Sequence, residues 1–238
     1  MVTETLDEKG FVQSRSITER ETTLIDVDED GVTLRLEVLE EVAGKRFVGE
    51  PKTIKQGFHG ELVCQELKVS EADAGQVVIE GLEIPCRIVR LDCTTPTGKT
   101  VTNVYYSTSV KPYILRRESV TTDIEGENTL GKTSVEVRAL NMPCLVMTEI
   151  KNGAYVRAIR RHTKGTVTTW LVTSTDVPGG VISHSSKEVD KDRRLIRRSM
   201  LQLTDYGLES AGERTGLFGR KRLLPRRPTR PSLQPAPP

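Results

Sequence analysis

The chain has 238 residues, a formal net charge of +2 and 36% hydrophobic residues, with only four Phe and one Trp. Its core must therefore come from Val, Ile and Leu, which suit pleated strands better than helices, in one large or two small domains. No apolar run approaches the roughly 18 residues of a membrane-spanning helix, which excludes a transmembrane segment of that kind.

Residues 1–9 are acidic and lack the basic end and apolar centre of a secretory signal. Residues 1–10 read as a flexible N-terminus and the location as cytoplasmic; a start further upstream would place the product in a periplasm or envelope. From there the chain alternates apolar and polar residues segment after segment, the mark of strands with one face buried. The plainest case is Val32-Thr33-Leu34-Arg35-Leu36-Glu37-Val38. Further strands are expected over 14–26, 76–80, 87–93, 101–107, 113–120, 133–138, 145–150, 154–161, 166–174, 181–186 and 195–204. The turns between them are Asp28-Glu29-Asp30-Gly31, Thr95-Pro96-Thr97-Gly98, Lys151-Asn152-Gly153, Thr163-Lys164-Gly165 and Asp190-Lys191-Asp192. Asn152-Gly153 is the strongest hairpin signal, because a tight primed turn needs positive φ at both central residues. The best helical candidate, 67–74, is at most a turn or two before Gly75. Parallel-sheet nucleotide folds, which need crossover helices, are excluded.

Past residue 207 the character changes. Residues 208–238 hold seven basic and two acidic residues, leaving the body at −3, and end Pro-rich. Such a segment is expected to be a disordered basic tail. Without interleaved aromatics it implies no specific nucleic-acid partner.

Residues 82–112 and 140–178 echo one another. Each opens on Pro-Cys (Pro85-Cys86, Pro143-Cys144) and closes on a Thr/Ser-rich strand that stops at a proline, Pro112 or Pro178. The echo predicts an all-β fold: a curved antiparallel sheet or open barrel made of two related meanders, 11–125 and 132–207, followed by the tail. Cys64, Cys86, Cys93 and Cys144 have neither CxxC nor zinc spacing and read as small buried hydrophobes without need of a disulfide.

Gly126-Glu127-Asn128-Thr129-Leu130-Gly131-Lys132-Thr133 matches the phosphate-loop pattern by letter. That loop works through a helix opening at its Lys-Thr; here an alternating strand follows, so no nucleotide or other cofactor is expected. The basic doublets Arg116-Arg117, Arg160-Arg161, Arg193-Arg194 and Arg197-Arg198 read as surface ladders paired with Glu118, Glu188, Asp190 and Asp192. His59, His162 and His184 are isolated, and none sits in a nucleophile motif, so no catalytic or metal site is expected. The loop Asp176-Val177-Pro178-Gly179-Gly180 is the most distinctive turn. Gly179 and Gly180, with Trp170 and His184, form a candidate site lip, and Tyr105 and Tyr155 are candidate cavity aromatics.

The phrase from Trp170 through Asp176-Val177-Pro178-Gly179-Gly180 to Val181, continued by Ser185-Ser186-Lys187-Glu188 and Arg197-Arg198-Ser199-Met200-Leu201, resembles uncharacterised bacterial envelope proteins with repeated all-β units. These are loosely similar to the lipoprotein-carrier (LolA-like) half-barrel class. The likeness covers residues 76–207 and rests on pattern. It implies a curved sheet with a concave apolar face, although no lid helices are evident and aromatics are few. The expected function is non-enzymatic binding of an apolar or lipid-like ligand on that face, by Tyr105, Tyr155, Trp170, Gly179, Gly180 and His184. The alternative is a structural or protein-interaction β-scaffold of the cell envelope without a small-molecule ligand.

Overall fold

The computed structural model describes residues 1–58 and 66–207. The expected tail, His59 and Cys64 lie outside the described residues. Fourteen strands and no helix make up the described chain: β1 (Val2–Leu6), β2 (Val12–Asp28), β3 (Gly31–Val42), β4 (Lys45–Val48), β5 (Lys52–Gln56), β6 (Glu66–Ile79), β7 (Leu82–Thr95), β8 (Gly98–Tyr106), β9 (Ile114–Thr122), β10 (Thr129–Val146), β11 (Glu149–His162), β12 (Gly165–Thr173), β13 (Val181–Asp190) and β14 (Leu195–Gln202).

All belong to one antiparallel sheet, ordered β4-β3-β2-β1-β14-β13-β12-β11-β10-β9-β8-β7-β6, with β5 on β3 beside β4. The sheet does not close into a barrel. From β1 to β4 and from β6 to β14 strands adjacent in the chain are neighbours; β5 turns back onto β3, and the two runs join at one seam, where β1 lies between β14 and β2. Val2 stands opposite both Met200 and Ile17, and the N-terminal ammonium donates to the Thr18 carbonyl at 2.5 Å. The expected flexible N-terminus is thus an inner strand. Two further expectations are corrected. Residues 67–74 belong to β6, not to a helical turn. Asn152-Gly153 lies inside β11, and the β10–β11 turn is made at Met147, with φ +55°. Gly153 is needed for close approach instead: a Cβ there would stand 2.8 Å from Cys144 Sγ and 2.9 Å from the Thr173 carbonyl.

Residues opposite one another in the ladder point to the same face, so the register defines two faces. The deepest residues of the central strands, Leu91, Val104, Leu115 and Val137, fall on one, the inner face. At the β6 end the sheet curls until β6 meets β10, where the Leu140 N–H donates to the Glu80 carboxylate at 3.0 Å. Inside this curl a core forms from Val77, Ile79, Ile84, Cys86, Leu115, Val137, Ala154 and Val156. A second, smaller core joins Val146, Val177 and Ile182 with Tyr206.

The loops after β8 and β12 share a device. Ser107 and Ser174, both buried, donate their N–H to Tyr113 and Gly180 carbonyls at 2.8 Å. The valine three residues on, Val110 or Val177, plugs the first or second core. The Pro-Cys echo has no such counterpart, since Cys86 lies near the start of β7 and Cys144 near the end of β10. Cys86 and Cys144 carry free thiols, whereas Cys93, read from the sequence as a small buried hydrophobe, is disulfide-bonded, a bridge that the cysteine spacing did not demand.

Candidate binding surface

The outer face carries a row that crosses the sheet in unbroken register. Tyr105 on β8 stands beside Arg116, then Glu136, Arg157, Trp170, Ser185, Met200, Val2, Ile17, Glu41 and Arg46 on β4. Period-two alternation explains why these residues coincide, because each is the outward member of its strand.

The row is held by ion pairs and ring contacts. Arg116 donates to Glu118 at 2.5 Å and lies 5.3 Å over the Tyr105 ring, whose hydroxyl also donates to Glu118 at 3.3 Å. Arg157 binds Glu136 through Nε at 3.0 Å and through Nη2, and stands 5.9 Å over the Trp170 ring. Arg138 reaches the other oxygen of Glu136 at 3.4 Å. Burial pushes the Glu136 carboxyl up, yet the hydrogen bond and charge of Arg157, with Arg138, outweigh it and leave the pKa below its ordinary value. Burial, then the Glu118 charge, raises the Tyr105 phenol. These pairs orient the rings; exposed pairs of this kind add little stability.

Trp170 is 47% exposed, Met200 63% and Ile17 38%. With Tyr155, opposite Val172 one row away, they make an apolar band on strands β11–β2 rimmed by charge. The charge changes sign along this face. Strands β9–β14 present Arg116, Lys132, Arg157, Arg161, Lys187 and Arg198 against Glu118 and Glu136. Strands β1–β4 present Glu4, Glu19, Glu21, Glu37 and Glu41 against Arg15, Arg35 and Arg46.

Of the residues expected to form a site, Tyr155 and Trp170 come to the exposed band of this face, whereas Tyr105, at the end of the row, is half-buried and packs against the first core. His184 does not reach this face: it stands opposite Leu171 and Leu201 on the inner face. Gly179 and Gly180, at φ +75° and +73°, close the β12–β13 loop over Val177 and form no lip with Trp170. Beside β1 the inner face bears hydroxyls and an ion pair where an apolar wall was expected. Thr169, Ser186, Ser199, Thr3 and Ser16 share one row, and Arg197 binds Glu188 at 2.6 Å. The hollow there, about 240 Å³, is lined by Met1, Thr3, Val167, Ser186, Glu188 and Arg197 among others. In the loop with phosphate-loop letters, the N–H groups of Gly126, Glu127 and Asn128 all donate to the Asp123 carboxylate, and β10 follows. Those donors are spent on the chain itself. No group of three His, Cys, Asp or Glu able to hold a metal ion occurs among the described residues.

No protein-family model, curated protein or solved structure matches the chain.

Sequence reasoning missed Arg157, Glu136, Met200 and Ile17. The signal was present in the doublets, since neighbours in a strand part to opposite faces: Arg116 and Arg198 face outward, Arg117 and Arg197 inward. Only the strand order joins them into a row.

Burial, then the N-terminal charge, lowers the pKa of His184 below its ordinary 6.5. The unfolded chain therefore binds this proton more readily, and the native state is penalised as pH falls through 6.5 toward the lower folded pKa. Stability against urea is expected to fall between pH 7 and pH 5 more steeply in the wild type than in His184→Gln. Parallel pH profiles for the two would contradict that assignment.

Proposed function

We propose that this chain is a non-enzymatic β-scaffold that works by presenting the outer-face band around Trp170 to a protein partner. The observation that carries the reading is the exposed row Trp170–Met200–Ile17, flanked by Arg157 and Lys187. Trp, Met, Tyr and Arg are the residues enriched where proteins meet, and a solvent-exposed Trp held by an arginine is a ready anchor. A ligand carrier of the half-barrel type would want its free apolar surface on the inner face. There the apolar residues of the curl pack on one another, and the strands beside β1 carry hydroxyls, which supports that reading less. The disulfide at Cys93 favours an oxidising compartment such as a periplasm or envelope over the cytoplasm.

The test is affinity capture from an extract of the native cell on immobilised full-length protein, compared with Trp170→Ala and with Arg160→Glu as an inner-face control. The reading expects a partner retained by the wild type and the control and reduced at least about tenfold by Trp170→Ala, the loss of a central anchor. Retention that follows the inner-face change instead would refute it.

A further inference from the structure

We infer that the partner of this outer face is a second copy of the same chain, paired about a two-fold axis that runs along β14 through Met200. The inference rests on the interaction reading above and names the occupant. Two-fold pairing brings one patch against itself, so a patch suited to it must be complementary to its own reversal. The outer row has this property. Counting outward from Met200, Ser185 is balanced by Val2, Trp170 by Ile17, Arg157 by Glu41 and Glu136 by Arg46. Reversal sets the indole of one copy on the isoleucine of the other, and at both flanks a cation on an anion.

The neighbouring row agrees. Lys187 on β13 and Glu4 on β1 flank Arg198 of β14 symmetrically. Lys187 has no ion-pair partner among the described residues, and reversal delivers it to Glu4 of the other copy. The Glu4 carboxylate already holds Arg198 at 2.6 Å, which offsets the meeting of the two Arg198 side chains at the axis. On the other side of the row, Tyr155 of β11 reverses onto Leu39 of β3. Stacked sheets lie about 10 Å apart and cross at about 30°, so the contacts nearest Met200 carry the pairing and the rim pairs steer it. Charge complementarity of this kind chiefly sets register and association rate. The opposed net charges of β9–β14 and β1–β4 fit the same reversal of strand order and no unreversed stacking.

Sedimentation velocity of the full-length protein over about 1–100 µM tests this, with Met200→Glu and Lys187→Glu alongside. Both positions are exposed, and circular dichroism establishes that the variants fold. A reversible dimer is expected for the wild type. Met200→Glu sets two carboxylates at the axis and should raise the dissociation constant at least about tenfold; Lys187→Glu, facing Glu4, should raise it several-fold. A wild type that stays monomeric throughout overturns the pairing, as does a dimer indifferent to both substitutions. If the monomer still captures another protein through Trp170, only the self-pairing falls. If it captures none, the interaction reading falls with it.

Discussion

Deleting residues 1–6 is expected to release β2–β5 from the sheet while β7–β13 keep their structure. β1 is the seam of the fold: it hydrogen-bonds to β14 along residues 2–5 and to β2 along residues 2–6. Among the described residues β2 has no other strand pairing to the rest of the sheet, because β3, β4 and β5 join it only through β2. Each lost backbone hydrogen bond is worth about 1 kcal/mol net, and the burial of Leu6 is lost with them. Once detached, β2–β5 contribute no residue to either hydrophobic core and lack the packed apolar face that strands need to stand alone. Hydrogen exchange should therefore show protection collapsing in β2–β5 and surviving in β7–β13. Unchanged protection of β2 and β3 in the truncated chain would contradict the strand order itself.

The substitution Gly165→Ala is expected to be nearly as damaging, although it adds one methyl group. Gly165 opens β12 opposite Asp190 of β13, and a Cβ built on it would lie 2.1 Å from the Val189 carbonyl oxygen. The obstacle is backbone in a registered ladder, so neither partner can yield without breaking the pairing. Gly98 and Gly31 repeat the arrangement at the starts of β8 and β3, with 2.3 Å to Thr122 and 2.2 Å to Gln56 carbonyl oxygens. A cost of about 3 kcal/mol is expected, at the upper end of overpacking. For a chain of this length that lowers the melting temperature by about 6–12 °C. Gly81→Ala makes the comparison: Gly81 has φ +80° but open space around it, so only the left-handed backbone is penalised, at about 1–2 kcal/mol. Thermal melts followed by circular dichroism should rank Gly165→Ala well below Gly81→Ala, and equal melting of Gly165→Ala and the wild type would refute the close approach.

Strand alternation made much of this fold legible. Residues 32–38 lie within β3, and the Gly31, Gly98 and Gly165 turns fall where the sequence placed them. Two local signals misled because tertiary contacts overrode them. Asn152-Gly153 carries hairpin letters, but its glycine is used against Cys144 and Thr173, and the turn was made at Met147 instead. β1 has five residues with a single buried side chain, Leu6, too short a pattern to announce a strand whose order comes from neighbours at both ends of the chain. The site was half legible for a related reason. The register, not their numbering, aligns Tyr105, Tyr155 and Trp170, whereas His184 was grouped with them by nearness in sequence although its cross-strand partner Leu171 points the other way. Met200 and Ile17 are far from Trp170 in the chain and join it only through the β1–β14 seam.

Trp170 is the chain's one tryptophan, so its fluorescence reports on the outer face alone. The most direct measurement is iodide quenching of that emission in the full-length protein between about 0.1 and 100 µM. Ready quenching of the 47% exposed indole is expected at the dilute end, and protection, with a blue-shifted emission, as copies pair through this face. Quenching that stays equally strong across the whole range would contradict it.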